Sequence, residues 1–543
     1  MAALQPIGQH SQAVVLYAVA AAGARSAPRE ESNDAPAPRA SDDSMIEPGA
    51  ERLAALSSQA ELLEKVGWLR ELGPRETGNP EHVRFVSRIA DELASLGLQV
   101  RRDSHSFDRW SVPSSGSRCA LTVLNAAGGD LTIPVASAYP YSGRTGPLGV
   151  SGPLQLVRSA SWWNGVAGKI AVIQVPHPSV PVKLLLDDVG HLPADASGFP
   201  DVYRHPVLSA KAFGPDLAAA KAAGAIGVVA VWQEATAAQV ADQYVPFDFP
   251  YRDIPAVWVA GENGEQLLDS ARRGARATLT LDATLSPGST TDTVWTVVEG
   301  EIANESILVV THTDGGNAVE ENGALGVLEL VRLFATGPRP KRTLVFVFVT
   351  AHLRIPAVTD RGQAMTAWLT AHPEWWSGED RAVRAVAGLV LEHLGALVRA
   401  RRSSGEPVEP EVELTYATNA AMQEVLKKSW TGRQRGKALI ARPTLFHLGE
   451  GEPLYQQGIP AIALASVPVY LLEATTADIV DVELMHEQIG AFARALLALE
   501  SMPAHLLGRA DRVGLVNKIL TGAQVLLVIA RVRWLAWLSA FRR

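Results

Sequence analysis

The sequence is almost without cysteine. Cys119 stands alone among 543 residues, so no intrachain disulfide can form and pairing says nothing about the redox compartment. A basic surplus is missing too: the formal net charge is −8, which gives no electrostatic footprint for nucleic acid, and no zinc-finger spacing occurs. Both absences argue against nucleic-acid binding. An uninterrupted spanning segment is also lacking near the C-terminus, because Arg531 and Arg533 break the apolar stretch from Ile519 to Phe541 and charges inside a spanning helix are costly.

What is present suits a large globular protein, long enough for two or three domains with substantial cores. From Ser57 onward the apolar period is helical, with Leu62, Leu63, Val66 and Leu69 and then Val83, Val86, Ile89, Ala90 and Leu93 recurring at helical spacing. Later the chain alternates: a strand over Ile307 to Val310, a helix over Gly326 to Phe334, and strands over Leu344 to Val349 and Gly388 to Leu391. Continuous apolar strands separated by helices predict an α/β fold, a mostly parallel or mixed sheet sandwiched by helices. Residues at the carboxyl ends of such strands sit where open α/β sheets place their pockets.

Chemistry-bearing residues gather at those ends. The first strand delivers His312-Thr313-Asp314, and the Gly-rich turn after it carries Glu320 and Glu321. The next two exits carry His352 and the pair Glu392-His393. Neutral imidazole nitrogen and carboxylate oxygen on rigid elements are the donors a divalent ion such as zinc requires. Blander readings stand beside this one. A lone histidine ending an apolar strand is more often a hydrogen-bonded structural residue. Alternation along a strand should send Glu392 and His393 to opposite faces, with His393 packed against a helix unless the strand has ended. His447 and His486 show no ligand spacing, and Glu450 and Glu452 read as a solvated loop.

The order of these parts resembles the co-catalytic zinc exopeptidases of the aminopeptidase Y and glutamate carboxypeptidase type. The likeness runs from roughly residue 58 to residue 500 and includes Arg70 to Arg75, Gly78-Asn79, Leu93 to Leu98 and Gly458 to Ile462. The resemblance implies that His312 is the first metal histidine, Glu321 the bridging acid with Glu320 a rival for that role, and Glu392 the acid of the Asp-x-x-Gly motif. The private ligands of the other metal align with Leu353 and Leu471, and leucine cannot coordinate an ion. His352 replaces the family's general base. The candidate set is therefore His312, Glu321 and Glu392 for metal, with His352 and Asp314 catalytic, and one zinc at most, or none. Two readings follow: an eroded di-metal centre whose cleft binds a peptide or protein without cleaving it, or a working single-metal hydrolase of peptide or amide bonds with His352 as base.

Residues 57–127 and 284–505 form the exopeptidase-like domain in this reading. Residues 128–283 are an insert whose Gly168 to Ile173, Leu217 to Val229 and Ile254 to Val257 resemble a protease-associated domain. Within it Val180 to Val207, rich in Pro, Asp and Gly, is expected to be a mobile loop over the cleft. Residues 1–56 comprise an apolar stretch, Ala13 to Ala22, like a secretory signal but with no Lys or Arg before it, and a Pro/Ala/Asp/Ser-rich linker in which Met45 is an alternative start. An extracytoplasmic or membrane-associated location and a cytoplasmic one both stay open. Residues 506–543 are an amphipathic tail: Gln524, Arg531, Ser539 and Arg542 cluster on one side, with Leu527, Trp534, Trp537, Leu538 and Phe541 away from it. That pattern suits a membrane surface, a helix docked on the domain or an oligomer contact.

Overall fold

The computed structural model describes residues 50–112, 119–124, 129–158, 163–247, 250–353, 355, 358, 362–443 and 447–542. The signal-like stretch, Met45 and nearly all of the linker lie outside them.

Strands buried on both faces form the centre of the molecule, and their sequences show why. In Arg342–Val349 every residue is buried, as is nearly every residue of Arg384–Glu392, so an unbroken apolar run is needed where an amphipathic strand would alternate. These two strands flank Ile302–His312 in parallel, and Ala461–Ala465 extends the parallel group. Antiparallel additions make the sheet mixed. The full nine-stranded order is Arg101–Ser111, Thr284–Val298, Arg342–Val349, Ile302–His312, Arg384–Glu392, Ala461–Ala465, Glu413–Ala417, Ala438–Arg442, Asp187–Leu192.

Alternate residues of the sheet feed two cores. Ile307, Val309, Phe346, Phe348, Leu389 and Leu391 pack with helices Gln59–Leu72, Pro80–Ser95, Gly323–Ala335, Ala420–Trp430 and Val482–Ser501. Leu308, Val310, Val345, Val347 and Val390 pack on the other face with Met365, Trp368 and Leu369 of helix Ala364–Ala371. The first two of these helices begin where side chains satisfy their free amides: Ser58 and Glu61 form a capping box, and Asn79 caps the helix that opens on Pro80.

A second, eight-stranded sheet is ordered Leu131–Ile133, Cys119–Leu124, Arg276–Leu281, Val150–Val157, Ile170–Val175, Gly227–Trp232, Ala256–Val259, Ser137–Ala138; seven of its strands lie in the insert, and Cys119–Leu124 joins them from before residue 128, where it pairs with Arg276–Leu281 and Leu131–Ile133. The segment expected to be a mobile loop is built into the larger sheet instead. Asp187–Leu192 pairs antiparallel with Ala438–Arg442 as the edge strand, and Val180–Pro181 pairs with Val202–Tyr203. Its Pro and Gly content fits an edge position, where ladder bonds are needed on one side only. Helix Leu515–Arg542 closes the chain. None of the helices among the described residues is long and apolar enough to cross a membrane.

Candidate metal centre

Neighbouring strand exits bring the site together. Ile302–His312 ends on the first histidine, and Arg384–Glu392 ends on the acid. His393 then takes a left-handed conformation, φ 57°. That turn cancels the alternation expected of a strand, so His393 joins His312 and Glu392 on the same side. One ligand atom from each of the three lies within 4.8 Å of the others.

Each member is tied at one atom and free at another. A backbone carbonyl can only accept, so Asp314 O, 3.1 Å from His312 Nδ1, and Ser466 O, 2.5 Å from His393 Nδ1, fix the proton of both rings on Nδ1. Glu392 Oε1 accepts from the amide of Glu450 at 2.7 Å. His312 Nε2, His393 Nε2 and Glu392 Oε2 are buried and have no hydrogen-bond partner among the described residues. Leaving buried polar atoms unpaired costs about 1–3 kcal/mol each. Burial, aided by the charges of neighbouring histidines, holds His312 far below the usual imidazole range and His393 down at about 3, so both present lone pairs. Burial, with Glu450 nearby, pushes Glu392 up to about 8.

His352 lies parallel to His312, ring centroids 3.8 Å apart. Its Nδ1 meets Glu450 Oε1 at 2.6 Å. Burial alone would lower its pKa, but the hydrogen bond and charge of Glu450 outweigh it and raise it to about 9. At neutral pH His352 is thus an imidazolium, a proton donor. Asp314 acts as a clamp on the same turn: its Oδ1 accepts from the amide of His352 and its Oδ2 from that of Leu353, both at 3.1 Å, and Thr77 donates to Oδ2 at 2.6 Å.

Glu321 stands outside the triad. Its carboxylate is paired with the buried guanidinium of Arg75, which also donates to the carbonyls of Leu69 and Gly73. Burial raises Glu321 to about 7 against the opposing pull of Arg75. Glu320 accepts from the amide of Gly316 at 2.6 Å, and burial together with Glu321 keeps its proton on well above the usual range. Leu353 and Leu471 are 2% and 8% exposed and pack as ordinary core residues.

Sequence reasoning missed Glu450 as well as His393. Expected on a solvated loop, Glu450 is fully buried and accepts from the amides of Ala364 and Met365 besides meeting His352. Its flanking glycines are the local signal. Gly449 has φ +74°, and a Cβ there would stand 1.8 Å from Glu392 Oε2; one on Gly451 would stand 2.4 Å from the His447 ring. His447 packs against Tyr416, and His486 is part-exposed on helix Val482–Ser501.

The insert covers the site. Phe247 lies over the outer side of His352, rings 6.4 Å apart, and Leu353 and Leu472 belong to the insert's core. Tyr203 donates to the carbonyl of Val467 at 2.6 Å, His205 to that of Pro468 at 3.1 Å and Gln243 to that of Val469 at 3.0 Å. Val467, Pro468 and Val469, just before Leu471, thus accept hydrogen bonds from the insert.

Solved structures with this architecture include aminopeptidases. The chain is similar to an aminopeptidase from Aneurinibacillus sp. strain AM-1 (16% identity, TM-score 0.54, covering 86% of this chain and 97% of that one). It is also similar to a peptidase M28 precursor from Shewanella amazonensis SB2B (14%, TM-score 0.57, 87% and 100%) and to a zinc aminopeptidase from Bacillus subtilis (16%, TM-score 0.55, 84% and 99%). The fold is that of the zinc aminopeptidases. At these identities the likeness speaks for the fold alone. No protein-family model matches the sequence, and no curated protein does.

The donor set fits zinc. Two neutral imidazoles and a carboxylate are a three-ligand zinc set that leaves a further position open. The carbonyls of Asp314 and Ser466 and the amide of Glu450 supply the outer hydrogen bonds that orient such ligands.

Proposed function

We propose that this is a zinc-exopeptidase-like protein that keeps one metal position, on His312, Glu392 and His393, and has lost the other. Its hydrolysis of ordinary exopeptidase substrates is impaired, and its cleft serves to hold a peptide or protein. The observation that carries this reading is the packing of Leu353 and Leu471 as buried core residues, where the resemblance calls for ligands. The charge on His352 supports it, since an imidazolium cannot take a proton from water. We read the insert as a protease-associated-type module, supported by its parallel strands, its short Ala-rich helix Leu217–Ala222 and its seat over the cleft.

The three unpaired ligand atoms favour a second reading, a single-metal hydrolase of peptide or amide bonds. A bound zinc would supply Lewis acidity and a more acidic water. His352 would then orient or protonate a substrate, with Glu450 holding its ring.

Metal analysis combined with turnover of aminoacyl and peptidyl chromogenic substrates separates the readings. At most one zinc per chain with turnover at the blank rate is expected. Robust turnover abolished by His393→Ala would establish the single-metal hydrolase instead.

A further inference from the structure

Among its described side chains, helix Leu515–Arg542 meets the insert's core through one face. Ile529 and Val532 pack part-buried against the insert's core, and Arg533 donates to the carbonyl of Ala212 at 3.1 Å. Away from that seam, Leu520, Ala523, Leu527, Ala530 and Trp534 are exposed, the three larger ones at 56%, 69% and 59%. Their steps of three and four residues place them along one stripe of the helix, uncovered among the described residues.

An apolar stripe on a docked helix needs an occupant, and charge selects among them. Beyond Asp511 the sequence carries Arg512, Lys518, Arg531, Arg533, Arg542 and Arg543 and no Asp or Glu, in a protein of formal net charge −8. A second copy of the same helix would set these cations against each other with no acid to pair them. Arg531 and Arg533 within the apolar stretch make spanning costly, and among the described residues no helix is long and apolar enough to cross a membrane. Exposed leucines and a tryptophan interleaved with cations fit an interface where apolar groups enter the acyl boundary and the cations meet anionic headgroups.

We propose that the stripe Leu520–Trp534 is a docking surface for an anionic lipid bilayer, with the helix lying in the plane of the interface and the insert and peptidase-like domain carried beside it. The proposal is independent of what the metal centre does. Membrane attachment through this face would leave the opposite face, with Ile529 and Val532, holding the insert.

Co-sedimentation of the full chain with phosphatidylcholine vesicles, with and without phosphatidylglycerol, tests it. Binding is expected to the anionic vesicles and to fall as salt rises from about 0.05 M to about 0.5 M. The double variant Leu527→Glu/Trp534→Glu should bind at least about tenfold more weakly. Arg531→Glu, a single exposed change, should weaken anionic binding and leave thermal melting unchanged. A full chain that stays in the supernatant at low salt would overturn the proposal, as would equal binding to neutral vesicles. So would a lipid-free dimer in sedimentation velocity that the double variant dissolves, which would give the face to a second copy.

Discussion

The imidazoles of His312 and His352 lie face to face, centroids 3.8 Å apart and planes within 12°. Two cations cannot share that spacing in a buried site, so one ring must stay neutral. Glu450 decides which. It holds the proton on His352 and leaves His312 with its Nε2 lone pair turned to Glu392 and His393. The stack thus joins a candidate metal ligand to an imidazole that Glu450 keeps protonated.

Metal binding should follow the triad and not the acids of the turn. Elemental analysis after dialysis against zinc should give no more than one equivalent per chain. His393→Ala and His312→Ala should each lower affinity by about tenfold or more, whereas Glu320→Gln should leave it nearly unchanged. Two equivalents would mean that the buried leucines misreport the second position.

Turnover of aminopeptidase or carboxypeptidase substrates should be lower than in an enzyme with an intact carboxylate base by on the order of a hundredfold or more. Restoring acids at positions 352 and 353, with Leu471→His, should raise it, measured as kcat/KM with zinc present. Leu353 and Leu471 are buried, so the rebuilt protein should be less stable without metal than with it.

Stability of the metal-free protein should fall as pH rises. His352 has its folded pKa raised from 6.5 to about 9, so its contribution is complete below about 6.5 and is lost as pH climbs through about 9. Glu392, raised from 4.5 to about 8, acts in the same direction, because the folded state keeps a proton that the unfolded chain gives up at lower pH. Urea denaturation across that range reads the slope. Glu450→Gln should flatten its upper part; an unchanged slope would show that Glu450 does not set the charge on His352.

The insert should loosen when its apolar seam is cut. Leu472→Ala removes a side chain 3% exposed in the insert's core and should cost about 2–5 kcal/mol. Hydrogen exchange should then speed up at the amide of Tyr244, which donates to the carbonyl of Leu472 at 2.8 Å. Protection left intact at that amide would place the seam's strength elsewhere.

The strands and helices of the peptidase-like part were legible because burial writes directly into sequence. Strands covered on both faces need unbroken runs such as Leu344 to Val349, and half-buried helices repeat their apolar residues at helical spacing. His312 and Glu392 were legible for the same reason, since each stands where an apolar run stops. His393 was not, because the alternation rule holds only while the strand continues, and a left-handed residue at the exit breaks it. The pairing of Arg75 with Glu321 joins residues 246 positions apart, and no local pattern announces it.

The sequence by itself determined which segments become buried strands and which residues stand at their ends, because side-chain periodicity and burial are local properties. The tertiary structure alone decided which of those residues meet. His312, Glu392 and His393 converge because their strands are sheet neighbours, Glu321 is drawn away by a guanidinium from the N-terminal region, and Glu450 enters the core through a turn that only bare glycine backbone can make. Ligand sets and charge partners are fixed by contacts between distant segments, and those exist only once the chain has crossed over and packed.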